Sequence, residues 1–246
     1  MRSPSLIELL QSGVHFGHTK GKWHPKMDKY IFTTRGGVHI INLEETVKKL
    51  NEAAEYVQSI GQKGGMILFV GTKKQAAALV EKAAKECGMP YVSKRWLGGT
   101  LTNFSVIQKL IQQYRMLKTT LESDQRVRYT KKEQLLMERK VAKMDITVGG
   151  LVGLDRKPDA IILVDVRRER TAVREALATR TPVVAMTDTN ANPDNVNYPI
   201  PSNDDAVRSI ETILNVITAA YVEGKARAAS AASQEPAPQE NIQEAA

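Results

Sequence analysis

Three short stretches constrain this chain more than anything else in it: Met66-Ile-Leu-Phe-Val70, Asp159-Ala-Ile-Ile-Leu-Val164 and Pro182-Val-Val-Ala-Met186. A strand with one face in water alternates polar and apolar residues, whereas an uninterrupted apolar strand must be covered on both faces. Parallel sheets flanked by helices provide that cover. Helical spacing fills the intervals: Glu44 to Ile60 before the first run, Lys74 to Glu86 after it, Glu169 to Thr179 between the second and third, and Asp204 to Tyr221 at the end. Shorter strands are expected at Tyr91-Val92 and Tyr198-Pro-Ile200. The alternation predicts an α/β fold of Rossmann-like type, a parallel sheet with helices on both faces.

The interval 103–155 breaks the alternation. Two helical patterns, Ser105 to Leu121 and Thr130 to Met144, are joined by the short connector Glu122 to Arg128. Such a pair folds back on itself, which predicts an antiparallel helical hairpin inserted into the sheet domain. At the N-terminus, residues 4–12 read as a short helix capped by Ser3 or Ser5 and ended by Gly13. Residues 14–29 have no period and read as a loop, with Phe16 and Trp23 pinning it to the core and Lys20, Lys22 and Lys26 facing outward. The Gly36-Gly37 turn then leads to a strand over Val38 to Leu43. Past Glu223 the chain is rich in Ala, Pro, Gln and Glu, the composition of a disordered tail. The expected organisation is an α/β domain with an N-terminal extension (1–102 and 156–223), a hairpin (103–155) and a tail (224–246).

Charge narrows the function. Lys and Arg total 35 against 27 Asp and Glu, a formal charge of +8, and the cations cluster. An anionic partner is expected. No stretch approaches the roughly twenty apolar residues of a membrane span. The first residues have neither the apolar core nor the cleavage site of a secretory signal, so the expected location is the cytoplasm or an organelle interior. Aromatic content of 5% is low for a module that stacks a series of bases, so recognition through shape and backbone fits better. The single cysteine, Cys87, closes a helix and reads as a buried structural thiol.

The densest candidate contact surface is Tyr91 to Phe104. Lys94 and Arg95 suit phosphates, while Thr100 and Asn103 suit ribose hydroxyls. In the same stretch Trp96 and Leu97 are placed to plug the base of the hairpin, and Thr102 or Asn103 to cap its first helix. A second candidate is the turn Gly71-Thr72-Lys73-Lys74, with Lys73 and Lys74 at a helix N-terminus. It has neither phosphate-loop spacing. An RNA phosphate, a free nucleotide or a bare structural turn all fit it. His15 and His18 form an H-x-x-H pair, but Gly13 and Gly17 oppose the helix that would aim both at a metal, and no cysteine is near. They read as hydrogen-bonding or RNA-contacting imidazoles, and His39 as a packed residue. Asp165 and Asp188 follow strands where α/β enzymes keep catalytic acids, yet no base, nucleophile and oxyanion donor accompany them. Turn-forming roles are expected for both, with no catalytic residue, cofactor or small-molecule substrate.

Six blocks in order carry a resemblance: Gly13-Val-His-Phe-Gly-His18, Trp23-His-Pro-Lys-Met27, Leu68-Phe-Val-Gly-Thr-Lys-Lys-Gln75, Arg95-Trp-Leu-Gly-Gly-Thr-Leu-Thr-Asn-Phe104, Pro182-Val-Val-Ala and Tyr198-Pro-Ile-Pro-Ser-Asn-Asp-Asp205. Over roughly residues 3 to 223 the chain resembles the small-subunit ribosomal protein two family, and its hairpin resembles the bacterial and organellar branch. The resemblance implies a flavodoxin-like domain without catalytic activity. It also implies binding to ribosomal RNA and neighbouring small-subunit proteins, late entry into subunit assembly and docking of ribosomal protein one. His24 stands where that family usually has Asn, and Gly149-Gly-Leu-Val-Gly153 departs from its usual residues.

Overall fold

The computed structural model describes residues 4–232. Five strands, β4 (Ile67–Val70), β5 (Tyr91–Val92), β6 (Ala160–Val164), β7 (Val183–Thr187) and β8 (Tyr198–Pro201), form a sheet in the order β5-β4-β6-β7-β8. All its pairings are parallel. Counted along the chain within this sheet the order is 2-1-3-4-5, the flavodoxin-like order.

The apolar runs are buried on both faces, and the two-residue period of a strand divides them between two cores. Ile67 and Phe69 of β4, with Ile162 and Val164 of β6, pack under α2 (Leu43–Gln62), α3 (Lys74–Cys87) and α7 (Val207–Ala232). Leu68, Val70, Ile161 and Leu163 face the other way, toward α6 (Arg170–Thr179) and the inserted hairpin of α4 (Phe104–Glu122) and α5 (Lys131–Val148). Each such side chain contributes about 1.5–3 kcal/mol by leaving water. The hairpin does not simply project, because Ile107, Ile111 and Tyr114 of α4 and Met144 and Val148 of α5 complete the second core. Cys87 is buried in the first core, and burial pushes its thiol up to about 12.

Two segments differ from the sequence reading. Residues 14–41 hold an antiparallel sheet, β1 (Phe16–Thr19), β3 (Val38–Ile41) and β2 (Ile31–Arg35), in the order β1-β3-β2. Gly36 and Gly37 have φ of 59° and 76° between the paired Arg35 and Val38, as a two-residue hairpin turn requires. Its anchors are not Phe16 and Trp23, which are 49% and 37% exposed, but the buried Met27 and Tyr30. Second, α7 continues past Glu223 to Ala232. Gly224 explains the extension: a Cβ there would lie 2.2 Å from the carbonyl oxygen of Gln58, so the small residues admit α2 to close contact. The rest of the expected tail lies outside the described residues. Ahead of the small sheet, α1 (Leu6–Gln11) starts at Ser5 in a capping box with Glu8. Among the described residues no helix is long and apolar enough to cross a membrane.

Candidate nucleic-acid interface

The loop from β5 to α4 is organised by a residue far away in sequence, Glu175 on α6. One carboxylate oxygen of Glu175 accepts the indole N–H of Trp96 at 3.0 Å and the Gly99 N–H at 2.8 Å. The other accepts the N–H of Leu101 at 3.0 Å and both the N–H and the hydroxyl of Thr102 at 3.3 Å. Burial alone would push this carboxyl up; the donors from Trp96, Leu101, Gly99 and Thr102 together outweigh burial and hold it below the usual carboxylate range. Trp96 and Leu101 are thereby drawn into the second core. Lys94, Arg95 and Asn103 remain on the exposed side. A cavity of about 410 Å³, lined in part by Lys94, Arg95, Lys118 and Tyr114, separates this loop from the hairpin base.

Two expectations for the loop are corrected. Thr100 is 0% exposed and its hydroxyl donates to the Leu97 carbonyl at 2.6 Å, so it stabilises the turn and presents nothing to a ribose. Asn103 holds the N-cap position of α4 without a side-chain capping bond, and the Thr102 hydroxyl that could have capped goes to Glu175 instead.

The turn after β4 has the opposite electrostatics. The Lys73 ammonium lies 2.7 Å from Asp204, 2.7 Å from Asp205 and 3.3 Å from Asp165, with 12% of its side chain exposed. Burial would lower its pKa, and hydrogen bonds to Asp204 and Asp205 outweigh burial and raise it. Asp204 is pushed up to about 7 by burial and by the charges of Asp165 and Asp188, against the pull of Lys73. Thr72 donates its N–H at 2.9 Å to Glu169, and the Arg168 guanidinium donates to the Thr72 hydroxyl at 3.0 Å. The anion seat expected here is filled by the protein's own carboxylates, so Lys73 is withdrawn from the candidate contact surface, whereas Lys74 is exposed. Asp165 adopts a left-handed φ of 68° and accepts the Arg168 N–H at 2.9 Å, the turn-forming role expected of it.

The N-terminal sheet docks on the same edge: His18 N–H reaches the Thr189 hydroxyl and His24 N–H the Thr189 carbonyl, both at 2.8 Å. His18 and His15 diverge. His18 lies 3.0 Å from Asp188 and 3.6 Å from Asp205, and the hydrogen bond to Asp188, opposed by burial, raises its pKa. These three residues offer ligand atoms within 4.8 Å of one another, the one grouping among the described residues able to hold a metal ion. His15 stands against Phe16 outside that group, and burial lowers its pKa. Asp188 therefore does more than form a turn. His24 accepts the Lys26 N–H through Nδ1 at 3.2 Å, as a capping Asn side chain would. Lys20 and Lys22 are exposed on a 3-10 turn, and Lys26 is half-exposed in an ion pair with Asp194. His39 is buried, as its strand position implied.

The family model described as Ribosomal protein S2 matches residues 9–224. The chain belongs to the ribosomal protein S2 family. It is 48% identical over 221 residues to the small ribosomal subunit protein uS2 of Fusobacterium nucleatum subsp. nucleatum, covering 89% of this chain and 90% of that one. To the small ribosomal subunit protein uS2 of Bdellovibrio bacteriovorus it is 44% identical over 224 residues, 91% of this chain and 72% of that one.

Membership of the ribosomal protein S2 family makes the chain a structural, non-enzymatic component of the small ribosomal subunit that serves translation. The match spans the candidate interface from His15 to Asp205. The residue that sequence reasoning missed is Glu175. Its signal was present: an acid among Ala172, Val173 and Ala176 on the buried side of α6, where a carboxylate without donors would be costly.

Proposed function

We propose that this chain binds ribosomal RNA through Lys94, Arg95 and Asn103, assisted by Lys20, Lys22, Lys26 and Lys74, and so joins the small subunit to its neighbouring proteins. The observation that carries this reading is the exposed pair Lys94 and Arg95 on a loop whose nearest buried carboxylate is engaged by neutral donors. Neither cation is in an ion pair among the described residues, and the two acids that share their cavity, Glu81 and Asp145, are engaged by Lys85 and Tyr114, so the pair meets phosphates without first breaking an ion pair. Docking of ribosomal protein one, which the family resemblance implies, finds support in an apolar groove of about 450 Å³ formed by Leu6, Ile7, Leu10, Phe32 and Ile40. Support for subunit assembly follows from these two contacts, on a ribosome of the cytoplasm or of an organelle.

The test is a salt series. Small subunits carrying this protein should release it as salt rises, because each neutralised phosphate adds about 0.7–0.9 to the logarithmic slope. Replacing Lys94 and Arg95 by Ala should flatten that slope and weaken incorporation. Salt-independent association, or incorporation unaffected by the double replacement, refutes the assignment. For the groove, Phe32→Asp should release ribosomal protein one while leaving this chain on the subunit.

A further inference from the structure

Parallel α/β sheets offer a crevice at the carboxyl ends of their strands where the strand order reverses. Here that crevice lies between the turn after β4 and the loop after β6, and Thr72, Glu169, Arg168 and Lys73 shut it. The adjacent crevice, between the loops after β6 and β7, is open. It forms a cavity of about 490 Å³ with the buried Val166 and Ala191 among its lining. Arg167 and Arg170 stand at it exposed, together with the exposed Asn195.

Every acid on these two loops faces elsewhere. Asp165 faces Lys73, Glu169 takes Thr72, Asp188 takes His18 and Thr189, and Asp194 pairs with Lys26. Arg167 and Arg170 have no carboxylate within ion-pair distance among the described residues, and the Asn195 amide has no side-chain partner there. The groove therefore carries unpaired positive charge beside apolar surface. Guanidinium groups match phosphate oxygens in a planar, two-pronged geometry. Amides match ribose hydroxyls and base edges, and an apolar floor suits the face of a sugar or base.

We propose that this groove is a further RNA seat, with one phosphate between Arg167 and Arg170 and the adjoining nucleotide over Val166 and Ala191 beside Asn195. It rests on the reading that the chain binds ribosomal RNA, and adds a contact at the sheet edge remote in sequence from Lys94 and Arg95. The test uses small subunits stripped of this protein and refilled with variants. Arg167→Ala with Arg170→Ala should weaken rebinding about fivefold or more and lower the salt slope by about 0.7–0.9, the share of one phosphate. Melting of the free protein should not change. In parallel, Asn195→Cys carrying a tethered iron chelate should cut ribosomal RNA beside the groove; the buried Cys87 leaves that label selective. Normal incorporation with no RNA cut, or cutting of a protein neighbour instead, overturns the groove alone. Wild-type rebinding without salt dependence overturns the underlying RNA reading.

Discussion

The turn at Gly71 to Lys74 and the loop at Tyr91 to Phe104 look alike as sequences and behave as opposites in the folded chain. Both place paired cations next to glycines and hydroxyls beside a helix start. At the turn, Asp165, Asp204 and Asp205 converge on Lys73 and neutralise it. At the loop, the acid Glu175 takes only uncharged donors, and Lys94 and Arg95 stand exposed without an ion pair among the described residues. What separates Lys73 from Lys94 is thus where the carboxylates of other segments arrive. Those segments are distant: Asp204 lies 131 residues from Lys73, and Glu175 79 residues from Trp96.

Replacing Glu175 should break the comparison most severely. Glu175→Ala leaves the Trp96 indole and several backbone N–H groups without an acceptor and should cost about 3 kcal/mol, read as a lower urea midpoint. Because the Glu175 pKa lies below its ordinary value, its stabilisation is present above about pH 4.5 and disappears as pH falls through the folded value. Glu175→Gln should flatten that acid limb, and a variant with the wild-type acid profile would show that the latch adds nothing.

Lys73→Met comes next. Stranding Asp165 and Asp204 should lower stability by about 2 kcal/mol, discounted because Asp205 is half in water. Binding of the folded fraction to stripped subunits should not change, and a loss of affinity there would return Lys73 to the contact surface. Thr100→Val should cost about 1 kcal/mol in thermal melting, with an unaltered salt slope, since its hydroxyl meets only Leu97. The smallest stability effect belongs to Lys94→Ala with Arg95→Ala. Their melting temperature should match the wild type while the salt slope of subunit binding falls by about 1.5.

The parallel sheet was legible because β4, β6 and β7 carry apolar residues on both faces, a pattern few other structures tolerate. The hairpin was legible from two helical periods on a short connector. β1 and β2 were not, because their side chains are mostly half-buried or exposed and show no alternation. The last turns of α7 were hidden for a different reason. Gly224 makes room for a neighbouring helix and the turns after it are rich in Ala, which in composition looks the same as a tail. At the candidate interface, residue types suggested Lys94, Arg95, Thr100 and Asn103 alike, and burial sets Thr100 apart from the other three.

The strand order has a consequence for synthesis. β4 and β6 are central neighbours, and the Met66 N–H bonds the Asp159 carboxylate at 2.6 Å across 93 residues. Closing so long a loop costs little more at equilibrium than closing a shorter one. On a ribosome adding about 5–20 residues per second, however, the interval lasts roughly 5–20 s. During that time the two-residue β5 is the only strand available to pair with the apolar β4, while the hairpin, made of local contacts, is free to fold first. The inserted helices therefore act as a delay line, lengthening the time for which a nascent, adhesive strand waits for its partner.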